Sequence, residues 1–264
     1  MMADGQTLLA VNHLTKQFGG LAAVDDVTLD IKRGQIFSII GPNGAGKTTV
    51  FNLITGIYKP TKGEILLNGR SIAGKTPDVV LRNGIARTFQ NIRLFNNMTV
   101  LENVLVGQHA KLYGDLISVI FRPPYYRNAE KRALDRAMEL LAFFGPQMVA
   151  LKDEYASNLS YAYRRRVEVA RAMASGPQLL LLDEPTAGMN DSETAEAVGY
   201  IRRLREQYGV TVLLIEHKLQ VTMNISDQIA VLDYGKKIAE GVPAEIQRNE
   251  QVIEAYLGRK AATA

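Results

Sequence analysis

Apolar and polar side chains alternate loosely over residues 7–33. Leu8-Leu9-Ala10-Val11 predicts one short strand. The period-two stretch Val27-Thr28-Leu29-Asp30-Ile31, stopped by Lys32-Arg33-Gly34, predicts another. Ile36-Phe37-Ser38-Ile39-Ile40 is short, apolar and β-branched, the pattern of a buried strand. From Thr48 to Thr55 the apolar positions Val50, Phe51, Leu53 and Ile54 predict a helix, and Gly56 stands where a helix C-terminus takes a left-handed residue. Pro60 to Gly63 predicts a turn, Glu64 to Leu67 a strand and Asn68-Gly69 a hairpin-type turn. Ile85 to Phe89 then leads to Gln90, placed at the end of a short strand.

From about 91 to 158 the strand signals fade and apolar residues fall at helical spacing. Glu130 to Phe144 is the clearest case: Leu134, Ala137, Met138 and Leu141 share one face, Arg132, Asp135, Arg136 and Glu139 the other, and Gly145-Pro146 is the stop. Residues 114–128 read as irregular around Pro123-Pro124. The α/β pattern then resumes. Tyr163, Val167, Ala170 and Ala174 form a helical stripe ending at Gly176-Pro177, and Leu179 to Leu182 is an apolar run expected of a strand covered on both faces. Asn190 with Glu193 predicts a capping box opening a helix that Gly209 closes near Tyr208. Val210 to Ile215 is a second buried strand, Ile229–Leu232 and Lys237–Ala239 a hairpin, Pro243 to Leu257 mostly helix, and the tail from Lys260 a fraying end. The whole predicts an α/β fold with a helical subdomain inserted into its core.

Composition narrows the function. The 264 residues suit one sizeable domain or two small ones, and 47% hydrophobic with 22% charged residues is ordinary for a globular protein. The net charge of +4 is modest, and no basic block stands out beyond Arg164-Arg165-Arg166, so a nucleic-acid partner is not expected. The absence of cysteine excludes disulfides, thiolate metal sites and cysteine nucleophiles, and fits a reducing compartment. Met1 to Gln6 carries no basic-then-apolar signal, and no apolar run approaches the roughly 20 residues of a membrane span. If the protein works at a membrane, other chains are expected to supply the spans.

The chemistry centres on Gly41-Pro42-Asn43-Gly44-Ala45-Gly46-Lys47-Thr48-Thr49, which fits the phosphate-cradling P-loop and lies between a predicted strand and a predicted helix. Gly41, Gly44 and Gly46 allow a tight turn whose N–H groups point inward at phosphate oxygens, and the helix N-terminus adds its positive dipole end. Lys47 is expected to reach the β- and γ-phosphates, and the Thr48 hydroxyl to ligate Mg²⁺. Downstream, the leucine run delivers Asp183 and Glu184 to a strand's carboxyl end, where open α/β sheets bind ligands. Asp183 is the candidate Mg²⁺ holder, Glu184 the group that orients or deprotonates the attacking water. Ile215 likewise delivers Glu216 and His217, with His217 a candidate γ-phosphate contact, and Gln90 is a candidate water or Mg²⁺ contact. Phe18, before Gly19-Gly20, is either an aromatic covering a core edge or a surface on which adenine stacks.

The order Phe18, Gly41–Thr49, Gln90, Leu159-Ser160-Tyr161-Ala162-Tyr163, Leu179–Pro185 and His217 resembles the nucleotide-binding subunits of ABC transporters over nearly the whole chain. The resemblance implies one ABC nucleotide-binding domain over 1–264, a P-loop NTPase core with a mostly parallel sheet. Residues 1–90 and 160–264 would form that core with an N-terminal antiparallel β-subdomain, and 91–159 the helical subdomain. It implies that Phe18 stacks on adenine, that Gln90 is the Q-loop glutamine, that Glu184 follows the Walker B Asp183 as catalytic carboxylate, and that His217 is the switch histidine. Thr186 to Asn190 lies where the D-loop runs, with Asn190 replacing the more usual aspartate. Within the family, Ala86–Gln90, Arg93-Leu94-Phe95, Met98-Thr99-Val100, Leu214–His217, Val252–Gly258 and the stretch after Gln108 resemble the ATP-binding subunits of bacterial high-affinity branched-chain amino acid importers.

That resemblance implies an ATPase with ATP and Mg²⁺, paired with a second nucleotide-binding subunit, identical or not. Two membrane permease subunits would complete it, with a periplasmic amino-acid-binding protein as an indirect partner, at the cytoplasmic face of the inner membrane. The alternatives are a lipopolysaccharide-export ATPase, a soluble non-transport ABC protein and a nucleotide-binding switch; Glu184 after Asp183 argues against the last. One segment departs from the family. Its signature is Leu-Ser-Gly-Gly-Gln, and here Ala162 and Tyr163 hold the last two places, where Ser160 and the helix behind it would meet ATP bound by the opposite subunit. The ATP on this chain's own Walker half is therefore expected to turn over normally, and the partner's more slowly.

Overall fold

The computed structural model describes residues 5–109 and 123–257. The chain separates into two compact units, Met1–Ile85 with Gln178–Ala264, and Ala86–Pro177. The expected helical subdomain stopped at 159; the second unit runs on to Pro177 and takes in the helix after Ser160. Residues 1–4, most of the irregular stretch at 114–128 and the tail from Lys260 lie outside the described residues.

Along the chain the elements are β1 (Thr7–Phe18), β2 (Leu21–Lys32), β3 (Ile36–Ile40), α1 (Lys47–Ile54), β4 (Lys62–Leu67), β5 (Arg70–Ser71), α2 (Pro77–Arg82) and β6 (Ile85–Arg87). The helices α3 (Val100–Val106), α4 (Pro124–Phe143), α5 (Pro146–Ala150) and α6 (Tyr161–Ala174) follow. The chain ends with β7 (Leu179–Asp183), α7 (Asp191–Tyr208), β8 (Thr211–Ile215), α8 (Leu219–Ile225), β9 (Gln228–Asp233), β10 (Lys236–Gly241), α9 (Pro243–Ile246) and α10 (Glu250–Leu257).

In the first unit, an antiparallel sheet runs in the order β2-β1-β4-β5. The two expected short strands are parts of 12-residue strands. Polar residues interrupt the alternation at bulges, where His13 and Asp26 take positive φ and His13 Nδ1 lies 2.8 Å from Asp26 Oδ1. Asn68 and Gly69 also have positive φ, as a two-residue hairpin turn between β4 and β5 requires.

The second sheet of this unit carries the site. Five of its strands run β10-β9-β3-β8-β7. β3, β8 and β7 are parallel and every residue in them is buried, which explains their unbroken apolar runs. The register sets Ile39 opposite Ile215, and Ile215 opposite Asp183. The three carboxyl ends are therefore level, with Ile39 and Asp183 two strand spacings, about 10 Å, apart. α7 has both halves of its capping box, Glu193 N–H to Asn190 Oδ1 at 2.9 Å and Asn190 N–H to Glu193 Oε2 at 3.0 Å, and ends at left-handed Gly209.

In the second unit, α3 and α4 both pack on α6. The buried face of α4 is Ala133, Ala137, Leu140 and Leu141, continued by Phe144 just past its end, while Leu134 is exposed. The expected stripe is thus rotated about the axis. The set at 133, 137, 140, 141 and 144 follows the helical repeat further, and the small Ala133 and Ala137 allow close approach. Pro123-Pro124 is a helix start, with Pro124 at the first helical position, where a missing N–H costs nothing. β6 stops at Arg87, so Gln90 lies in the loop beyond it.

Leu213 is wholly buried in the middle of β8. Leu213→Ala should destabilise the chain by about 2–5 kcal/mol. Urea unfolding would read this as a lower midpoint at unchanged slope.

Candidate nucleotide site

The loop between β3 and α1 is shaped by its neighbours. Gly41, Gly44 and Gly46 have φ of +148°, +80° and +98°. A Cβ on Gly41 would stand 2.0 Å from the Leu232 carbonyl oxygen, and one on Gly46 would stand 2.5 Å from that of Ala23. At Gly44 a Cβ would meet nothing within 4 Å. The loop is therefore wedged at both ends against β9 and β2 and open in the middle, the form of a backbone cradle for an anion. The turn between β9 and β10 braces it: Gly235 N–H donates to Ala45 O at 3.1 Å, and Asp25 N–H donates to Gly235 O at 2.8 Å. Asn43, Gly44 and Thr48 are exposed, whereas Lys47 is only 5% exposed, its Nζ donating to Gly41 O at 2.7 Å and Pro42 O at 2.9 Å. Thr49 is half-buried.

Asp183 ends β7 and is buried. Glu184 follows with φ of +49°, a strained conformation for a residue with a Cβ, held by its N–H donating to Ile215 O at 2.8 Å. Its Oε1 lies 2.9 Å from His217 Nε2, so two residues expected at separate strand ends meet. Gly41–Thr49, Asp183, Glu184 and His217 all belong to the first unit.

Glu216 is 3% exposed. Its Oε1 accepts a short hydrogen bond from the Thr186 hydroxyl, and its Oε2 accepts from His217 N–H at 2.8 Å. Lys218 Nζ donates to Met189 O and to Thr194 Oγ1, both at 3.0 Å. The segment after Glu184 is thereby tied to the end of β8. Sequence pattern places Glu216 at a strand end and goes no further, because its side-chain partner Thr186 lies 30 residues away. Tyr256 was likewise illegible. Burial pushes its phenol up to about 12, a hydrogen bond with the Gly41 backbone works against that rise, and the ring packs in a cluster that includes Ile40.

The Phe18 ring meets Tyr58 edge-on at 5.2 Å with Lys16 Nζ 4.9 Å from its centre, and the residue is 43% exposed.

The second unit holds Gln90 and Ser160. Gln90 is exposed. Ser160 is the N-cap residue of α6 and makes no side-chain cap hydrogen bond. Tyr163 is committed within its own unit, its hydroxyl 3.4 Å from Gln147 Oε1 and its ring 5.0 Å from the Arg166 guanidinium. The Arg164–Arg166 block is not a basic surface, since Arg165 is fully buried.

Among the described residues no three His, Cys, Asp or Glu side chains gather to hold a metal. Two hard oxygen donors of the first unit, the Thr48 hydroxyl and the Asp183 carboxylate, suit Mg²⁺ only with phosphate oxygens and water completing its shell.

The profile of the family described as ABC transporter matches residues 24–187. The chain belongs to the ABC transporter family. As a member, it is an α/β ABC ATPase. A second profile, described as branched-chain amino acid ATP-binding cassette transporter, matches residues 236–262 of this ATPase. The high-affinity branched-chain amino acid transport ATP-binding protein LivG of Salmonella typhimurium is 49% identical over 253 residues, 96% of this chain and 98% of that one. BraF of Pseudomonas aeruginosa, with the same description, is 45% identical over 95% of this chain and 98% of its own length. Among solved structures, the ADP conformation of MJ1267, an ATP-binding cassette of an ABC transporter, superposes with a TM-score of 0.83 at 31% identity, covering 96% of this chain and 99% of that one. A dimeric post-hydrolysis cassette, MJ0796 bound to ADP and Pi, gives 0.74 at 26% identity over 89% and 98%.

Gly46→Ala should leave the circular dichroism of this ABC ATPase unchanged. A strain of about 1–3 kcal/mol, relieved by moving the loop, should weaken ATP binding about 5- to 150-fold in equilibrium titration.

Proposed function

We propose that this chain is the ATP-hydrolysing motor of an importer for branched-chain or related amino acids. The carrying observation is the 49% identity with LivG across 96% of the chain, supported by the branched-chain profile at 236–262.

In this reading Phe18 stacks on adenine, and the backbone of Gly41, Asn43, Gly44, Ala45, Gly46, Lys47, Thr48 and Thr49 cradles the phosphates. Lys47 exchanges its two carbonyl partners for β- and γ-phosphate oxygens. Thr48, Asp183 and Gln90 would hold Mg²⁺, which would supply charge neutralisation at those phosphates. Glu184 takes a proton from the attacking water, whose oxygen forms the new bond to the γ-phosphorus as the bond to the β–γ bridging oxygen breaks, leaving ADP and phosphate. His217, 2.9 Å from Glu184, orients that carboxylate and contacts the γ-phosphate. Ser160 and the amino end of α6 serve ATP bound by a second nucleotide-binding subunit, a geometry favoured by the dimeric cassette among the structural neighbours. Among the described residues no helix is long and apolar enough to cross a membrane. Two permease subunits would supply the spans, a periplasmic binding protein the cargo, and this chain would sit peripherally on the cytoplasmic face of the inner membrane.

In a reconstituted assembly, binding protein loaded with leucine should stimulate ATP hydrolysis. Glu184→Gln should keep ATP affinity within a few-fold and lower phosphate release about 10²–10⁴-fold. Stimulation by an unrelated ligand class alone would discard the cargo; a Glu184→Gln protein turning over like wild type would discard the base.

The signature departure adds a second expectation. A Cβ at Ala162 stands where backbone must approach the partner's nucleotide, and Tyr163 is already engaged with Gln147 and Arg166. In a mixed dimer, single-site turnover should be slower at the ATP facing Ala162. Equal rates at both sites would remove the asymmetry.

A further inference from the structure

The second unit contains an ion pair that the chemistry above does not use. Arg165 and Glu168 lie one turn apart on α6, their side chains 0% and 1% exposed, with Arg165 Nη1 2.8 Å from Glu168 Oε2. Both spend their remaining capacity on the loop that carries Gln90. Arg165 Nη1 donates to Phe89 O at 2.7 Å, and Nη2 donates to Gln90 O at 2.8 Å. Glu168 Oε1 accepts from Phe89 N–H and Arg93 N–H, each at 3.3 Å. Arg93 also stacks on Phe89, its guanidinium 4.3 Å from the ring centre. At the other end, Arg165 Nη2 donates at 3.0 Å to the hydroxyl of Tyr161, the first residue of α6 after Ser160. Arg165 Nε has no partner, so its two Nη groups carry the whole arrangement.

Stability alone is a weak account of such a pair. Buried ion pairs give little net stabilisation over apolar residues of similar volume, because taking two charges out of water offsets their attraction. What the pair does supply is geometry: a planar guanidinium holds two carbonyls and a hydroxyl in fixed directions, which an ammonium cannot. The geometry points to Arg165 as a positioning residue, with Glu168 as its brace, that fixes the Gln90 loop to the amino end of α6 so that the two move as one piece. Gln90 is read as serving this chain's own ATP and Ser160 as serving the partner's. Arg165 then links the two nucleotide sites through a single chain. This inference rests on the reading of Gln90 given under Proposed function.

The test is a double-mutant cycle on the purified full-length chain, reading kcat, KM for MgATP and thermal midpoint for Arg165→Lys, Gln90→Ala and the double variant. Arg165→Lys keeps the charge beside Glu168 and loses the fork. It should lower kcat about ten-fold or more at a KM within about two-fold of wild type, since displacing a reacting group by a fraction of an ångström acts on turnover. Added to Gln90→Ala it should cost nothing further, because both changes remove the same placement. Losses that multiply, or Arg165→Lys at wild-type kcat beside a slow Gln90→Ala, would overturn the link alone. Gln90→Ala at wild-type kcat would overturn the role of Gln90 and the link with it. Should Arg165→Lys fail to fold, Tyr161→Phe stands in: Tyr161 is 44% exposed, so losing one hydroxyl spares the core. It should lower kcat about two- to five-fold in wild type and not at all in Gln90→Ala, and any other pattern counts against the link.

Discussion

The site depends on three parallel strands ending at the same level. Register makes Ile39, Ile215 and Asp183 neighbours across the sheet. The residues just beyond them, the glycine loop after β3, Glu216 and His217 after β8, and Glu184 after β7, are therefore delivered to one edge. A one-residue slip of β7 would turn every leucine in it to the opposite face. It would also carry the two acids away from their neighbours. Here both faces are buried and apolar, so alternation alone does not choose the register. Backbone contacts at the strand ends act in its place, notably Glu184 N–H to Ile215 O and Thr211 N–H to Gln178 O at 3.0 Å.

Around that edge the protein accepts strain to gain position. Glu184 holds a left-handed backbone without being glycine, and the glycine loop is pressed between Leu232 and Ala23 with no room for a Cβ at either end. Such conformations persist only where surrounding contacts over-determine them. Gly235 supplies one such contact on the loop. The buried Glu216 supplies another, satisfying one carboxylate with the Thr186 hydroxyl and the His217 backbone, so the segments on either side of Glu184 and His217 share a single anchor.

The parts legible in the sequence were those whose physical demand is local. The glycine loop, the capping box at Asn190, the leucine strand with its acids and the hairpin turns at Asn68-Gly69 and Tyr234-Gly235 each need particular residues at adjacent positions. The bulges at His13 and Asp26 broke the alternation and shortened the expected strands, because a bulge looks like a strand end until its partner is seen. The α4 face was misplaced because two stripes shared Ala137 and Leu141, and only packing on α6 separates them. Gly235, Lys218 and Tyr256 act on residues 24 to 215 positions away, distances at which no single-sequence pattern carries a signal.

The same distinction explains why the part played by Arg165 is not visible in the sequence. There it is only the middle of a basic block, whose outer members Arg164 and Arg166 are half-buried. The middle one points inward, where an irregular loop has backbone groups that need partners. Loop carbonyls and N–H groups buried without partners cost about 1–3 kcal/mol each. A guanidinium with a carboxylate beside it is among the few side-chain pairs able to satisfy donors and acceptors of one loop together. An apolar pair would fill the volume and leave those groups unmet. The charge in the core is thus a consequence of leaving the Gln90 segment without secondary structure, a segment in which Gln90 itself stays exposed.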